Sequence, residues 1–301
     1  MDVVGDMLKQ RLKEDVVYLI KITIVYLLLV IGVYVASGLV GDVLQEREKV
    51  MMSNNEMIPS AILEFVGMQK LGQFPAKMEV FFVGLMILNL VVMASLFVRG
   101  VSAMYKSHTN GRFSFLFMQI MPLWKNYILT MGEILITCLF SWGLYILIVM
   151  GFGGLLVADM HVDSGVVLQE LLGYMGTRGI SLVLFMVALG MMFGTAQRQR
   201  VQPVDLSLGI IAISFVLGNL YKIPQYVGYT QVKQMIAAQK TMEIVRVWKQ
   251  LRIVCPFSWL NPINIYNGIL DSSQLWGYLL LAVLILVMSG LWYCKRDWTE
   301  V

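Results

Sequence analysis

Apolar runs about as long as a bilayer is thick recur along this chain, and few folds can hold them. An α-helix rises about 1.5 Å per residue, so some 20 apolar residues cross a hydrocarbon core of roughly 30 Å. Six stretches reach or approach that length: 16–39, 80–98, 127–157, 180–196, 206–221 and 275–293. The third is long enough to tilt or to begin in the interface. The fifth is short, and its extent depends on how far the helix continues past Lys222 toward Pro224. Charge points the same way. Only 14% of the 301 residues are charged and 58% are apolar, against about 25% and about 45–50% in ordinary globular domains. That is too little charge to cover a water-facing surface. The expected fold is all-α: a polytopic membrane protein of six transmembrane helices, with residues 1–301 as a single transmembrane domain. A soluble enzyme is excluded.

Other classes fall away quickly. The net charge of +4 includes no basic cluster dense enough for nucleic acid. Cys138, Cys255 and Cys294 have no C-x-x-C spacing, and with His108 and His161 the only histidines, a metal site has almost nothing to use. There is no G-x-x-x-x-G-K-[ST] phosphate loop, no H-E-x-x-H and no G-x-S-x-G, so neither ATP hydrolysis nor these catalytic chemistries is expected, and no cofactor. The first fifteen residues mix acids and bases and end in no small-residue cleavage site, unlike a removable signal peptide.

Orientation follows from Lys and Arg in the short loops. Arg99, Lys106, Arg112 and Lys125 lie between spans two and three without an acid, Arg198 and Arg200 between spans four and five, and Lys295 and Arg296 after span six. With Lys9, Arg11 and Lys13 before span one, an even number of spans puts all of these on one side. Both termini are therefore expected in the cytoplasm of a cell-membrane protein. The segment 222–274 departs from the pattern, with Lys222, Lys233, Lys240, Arg246, Lys249 and Arg252 against Glu243 and Asp271. Long loops translocate with weak regard for charge.

Three segments are neither span nor plain loop. Val4, Leu8 and Leu12 recur at i, i+4, i+8, with Asp6, Lys9 and Lys13 opposite, which predicts a short amphipathic helix over 1–15 suited to the headgroup plane. In 111–121, Phe113, Leu116, Phe117 and Ile120 form one helical face, while Phe115, Met118 and Gln119 point the other way, and Pro122 stops or kinks the helix. Such a helix in a basic loop has two apolar surfaces: one for the bilayer edge and one for a protein partner. The alternative is an interfacial helix pressed into lipid only. Between Cys255 and Tyr266, Pro256 and Pro262 forbid one continuous helix across Phe257, Trp259 and Asn261. A re-entrant or interfacial hairpin fits, anchored by Trp259 and Tyr266.

Intramembrane charges are functional candidates by default. Glu133 lies roughly 9 Å of rise beyond Tyr127, and Lys21 five residues into span one, so both can reach the interface. A structural role is the simpler reading for each. The run Gly151-Phe152-Gly153-Gly154 reads as close helix packing or a helix end.

The layout resembles the permease subunit of a type-2 ABC exporter. Three stretches carry the resemblance. Ile58-Pro59-Ser60-Ala61-Ile62-Leu63-Glu64-Phe65-Val66-Gly67 is similar to the family's Pro-to-Gly segment before span two. Residues 111–127 resemble its coupling segment, with Met121-Pro122-Leu123-Trp124-Lys125 standing where Leu-Pro-Ile-Ser-Arg is usual. Pro256-Phe257 and Asn261-Pro262 are similar to its Pro-Phe-x-x-x-Asn-Pro stretch. The usual paired glutamates are replaced by Tyr105-Lys106-Ser107-His108, and the Ser-Arg is missing. A diverged member, or the degenerate partner in a heterodimeric exporter, has this appearance.

The resemblance implies two permease subunits around a translocation path, each docked on a separate cytoplasmic ATPase. It assigns ATPase coupling to Arg112, Phe113, Phe115, Leu116, Phe117, Met118, Gln119, Pro122 and Lys125, and an extracellular re-entrant gate to Pro256, Phe257, Trp259, Asn261 and Pro262. The cargo expected is amphipathic or hydrophobic, such as an antimicrobial peptide or drug. The rival expectation is an ATP-independent secondary transporter or membrane sensor, although neither mid-span charges nor two similar halves stand out.

Overall fold

The computed structural model describes residues 2–54, 75–109, 122–160, 165–196, 209, 213 and 272–295. Nearly all belong to five helices: α1 (Asp2–Asn54), α2 (Ala76–Thr109), α3 (Leu123–Met160), α4 (Gly165–Ala196) and α5 (Ser272–Lys295). Each contains a stretch long and apolar enough to cross a membrane: Arg11–Val43, Ala76–Met104, Leu123–Asp159, Arg178–Ala196 and Trp276–Lys295. Among the described residues the fold is all-helical, and it has the character of a multi-pass membrane protein. Of the expected span 206–221 only Gly209 and Ile213 are described, both helical. The rest of that span, the helix of 111–121, the segment 58–67 and the hairpin of 255–266 lie outside the described residues.

The helices outrun their apolar cores. α1 has 53 residues, about 80 Å at 1.5 Å per residue. The amphipathic start is helical as its periodicity predicts, but it is the first turns of α1 and not a separate element. No proline precedes Asn54 and no glycine lies between Gly5 and Gly32, so nothing there ends a helix. α2 and α3 each begin after a proline that has no N–H to lose. The Pro75 carbonyl accepts from Met78 N at 2.8 Å, and that of Pro122 from Lys125 N at 3.0 Å.

Glycines behave differently from their sequence reading. α4 begins at Gly165, so most of the stretch between the expected spans 127–157 and 180–196 is helical from Gly165 onward. Gly173, Gly176 and Gly179 do not break it. The Trp142 indole donates from Nε1 to the Gly176 carbonyl at 3.2 Å, and its ring fills the place of a side chain at Gly179. Conversely, α3 runs through Gly151 to Gly154 without ending. Gly151 and Gly154 have no atom within 4 Å of an added Cβ, so they mediate no close packing.

Side-chain contacts fix the helix directions. α1 and α2 are antiparallel: Asp15 meets Arg99, Tyr26 meets Ser95, and Asp42 pairs with Lys77 at 2.9 Å. α3 runs parallel to α1, since Arg11 meets Glu133, Tyr26 meets Ser141 and Tyr34 meets Asp159. α4 runs with α2, with Gly100 against Val187 and Gly194 against Val101. α5 runs with α4, from the Phe185–Tyr278 ring pair at 5.2 Å to Thr195 and Ser289 at 3.4 Å. Hence α2, α4 and α5 all end on the side where α1 begins, here termed the N-terminal face.

Aromatic and aliphatic side chains between α1, α2, α3 and α4 form the core, with Tyr26, Phe81, Phe97, Tyr145 and Val187 fully buried. α1 and α5 are peripheral. Ile20, Ile24, Leu28 and Leu39 on one, and Trp276, Leu280, Leu284 and Leu291 on the other, are exposed. Continuous apolar faces of this size are incompatible with water and are what hydrocarbon would cover.

Candidate functional site

Four charged side chains from three helices gather near the N-terminal face. Arg11, Asp15 and Tyr18 recur at i, i+4, i+7 and so share one face of α1. The Asp15 carboxylate accepts from Arg99 of α2, and the Arg99 guanidinium lies over the Tyr18 ring, 4.7 Å from its centroid. One turn earlier on α1, Arg11 Nη1 donates to Glu133 Oε2 of α3 at 3.3 Å and to Thr130 Oγ1 at 3.4 Å. Thr130 and Glu133 are i, i+3 neighbours and face Arg11 together.

The two pairs differ in access. Side chains of Arg99 and Asp15 are 14% and 12% exposed, whereas Arg11 and Glu133 are both 27% exposed. An unpaired charge at membrane depth costs about 2.5–3.5 kcal/mol on insertion scales. Pairing two cations with two anions removes the net charge, and placement toward one end of the spans shortens the path to water. Glu133 therefore has a partner in Arg11. Lys21 is exposed and stands outside the cluster.

A seam of hydroxyls continues from the cluster into the bundle. Tyr26 Oη and Ser95 Oγ are 2.8 Å apart, and Ser141 Oγ donates to Tyr26 Oη at 3.3 Å. Farther in, Tyr145 Oη donates to Asn89 Oδ1 at 2.8 Å, and the Tyr26 and Tyr145 rings meet edge to face at 5.5 Å. Each bond joins different helices among α1, α2 and α3. Interhelical hydrogen bonds in membranes average about 0.6 kcal/mol. Tyr145→Phe is accordingly expected to lower stability by about that amount, read as a small drop in unfolding free energy in detergent or bicelles.

A second polar group ties α3 to α5. Asn126 Nδ2 donates to Tyr293 Oη at 3.0 Å, and Tyr127 Oη donates to the Leu286 carbonyl at 2.7 Å. The Tyr127 ring lies where a Gly290 side chain would be.

Of the residues expected to act, Pro122 caps α3 and Lys125 is exposed on its first turn, its ammonium 5.5 Å from the Trp124 ring centroid. Residues 112, 113 and 115–119, and the gate residues Pro256, Phe257, Trp259, Asn261 and Pro262, lie outside the described residues. Sequence reasoning missed Arg11, Asp15 and Arg99 as a group with Glu133. The available signal was the i, i+4, i+7 spacing on α1. Among the described residues no three His, Cys, Asp or Glu side chains stand together as a metal site.

No family model, curated protein or solved structure matches the chain.

Proposed function

We propose that the chain is the permease subunit of a type-2 ABC exporter. It would couple ATP hydrolysis on a separate cytoplasmic ATPase to export of an amphipathic or hydrophobic cargo, with a second permease subunit completing the path. The supporting observation is the set of helix directions. α2 ends and α3 begins on the face where α1 starts, so the connection carrying Phe113 to Gln119 joins two helix ends on that face. A helix apolar on both sides, flanked by Arg112 and Lys125 and attached there, suits an ATPase groove with the N-terminal face cytoplasmic.

The same directions support six spans. α4 ends on the N-terminal face and α5 begins on the opposite one, the arrangement that one further crossing between Ala196 and Ser272 would give. The stretch 206–221 has the composition for one crossing.

Purification of the tagged protein in mild detergent tests this reading. An ATPase with a phosphate loop should accompany it, and charged substitution of Phe115, Met118 and Gln119 together should abolish that association while the chain stays in the membrane. A chain that emerges alone refutes the exporter. The buried charge cluster would then favour the second reading, an ATP-independent transporter, because intramembrane charge is characteristic of such proteins.

A further inference from the structure

α2 and α3 are consecutive, and each offers α1 one charge. Arg99 lies about three turns before Thr109 at the end of α2, and Glu133 about three turns after Leu123 at the start of α3. α1 answers both from one face, with Asp15 and Arg11 a single turn apart. Apolar surfaces can slide over one another. A nearly enclosed ion pair resists sliding, because low dielectric strengthens it and salt screens it little. The stack of Arg99 on Tyr18 fixes the guanidinium further.

We propose that Asp15, Arg99, Arg11 and Glu133 form a clamp that carries displacement of the α2–α3 ends into α1, making these four side chains positioning residues of the transport cycle. The clamp rests on the exporter reading, in which force enters at the connection between α2 and α3. It makes the N-terminal-face halves of α1, α2 and α3 one moving body.

The test uses the full chain with its co-purified ATPase in phosphatidylethanolamine–phosphatidylglycerol vesicles. Spin labels are placed at Lys13 and Ile128, both exposed, in a background with Cys255→Ser and Cys294→Ser. The parent should give one narrow label distance that survives ATP-driven turnover, because α1 and α3 move together, while transport of a fluorescently labelled amphipathic peptide proceeds. Arg99→Asp should broaden that distance and lower transport by about tenfold or more, which corresponds to about 1.4 kcal/mol at the barrier. Adding Asp15→Arg to Arg99→Asp should restore both readouts, which a merely space-filling role would not. Loss of transport that the swap fails to restore, in protein with parental elution and label distance, overturns the clamp. If Arg99→Asp does not fold, Arg11→Gln and Glu133→Gln take its place at the more accessible pair, and undiminished transport in both overturns it. If no ATPase accompanies the chain, the exporter reading fails on its own account. The clamp is then overturned by an Arg99→Asp label distance identical to the parent's.

Discussion

Replacing Gly190 with leucine is expected to destabilise the bundle by about 3 kcal/mol or more, at the upper end of what overpacking costs. Gly190 sits where α4 crosses α2, and any Cβ there collides with the backbone carbonyl of Phe97. Its neighbours repeat the arrangement. A Cβ at Gly100 would lie 2.9 Å from the Val187 carbonyl oxygen, and one at Gly194 would lie 2.8 Å from that of Val101. Gly190 and Gly194 form a G-x-x-x-G pair, whose small residues let two backbones approach closely. A side-chain tip can turn away from an added methyl, but a helix backbone can yield only by moving the whole helix. α4 also packs on α3 and α5, so displacing it loosens those contacts as well. Unfolding free energy should fall in the order glycine, alanine, leucine. Gly151→Leu and Gly154→Leu, which enter open space, should stay within about 0.5 kcal/mol of the parent. Equal sensitivity at all three positions would show that the α2–α4 crossing is not where the bundle is tightest.

The membrane character was legible because apolar length is a local property. Residues 16–39, 80–98, 127–157, 180–196 and 275–293 all fall within helices long enough to cross. Helix ends were less legible, since apolar runs mark where hydrocarbon begins and not where hydrogen bonding stops. α1 continues to Asn54 because no residue there breaks it. Glycine roles were not legible one by one. Gly179 borders an expected span yet is small so that Trp142 fits, while in the run 151–154 Gly151 and Gly154 face open space and Gly153 is buried. The pattern 190–194 was visible as spacing, but its partner Gly100 belongs to another helix. The charge cluster was hardest to read. Glu133 was marked by its depth, but Arg11 lies 122 residues away and Asp15 lies 84 from Arg99. Such separations are set by helix directions, which a single span does not encode. Arg99 looked like a loop base that helped to orient the chain, and it is instead mostly enclosed against Asp15 and Tyr18.

That enclosure sets the second large effect. Arg99→Ala and Asp15→Ala should each destabilise the protein by about 3–5 kcal/mol, the usual cost of leaving one member of a buried pair uncompensated. The double variant Asp15→Leu with Arg99→Met should lie well above either single variant, because removing both charges also removes the need to solvate them. Single and double changes measured together give the coupling energy directly. Arg11→Ala and Glu133→Ala, at the more exposed pair, should cost no more than about 1 kcal/mol, since water and salt can replace the lost partner. The contrast separates the two members of the cluster by role. If the inner pair proved as weak as the outer one, water would have to reach Asp15, and α1 would not be held to α2 by charge at all. If the double variant stayed as unstable as the singles, packing of Arg99 on Tyr18 would carry the contact, and the carboxylate would serve mainly to keep that guanidinium in place.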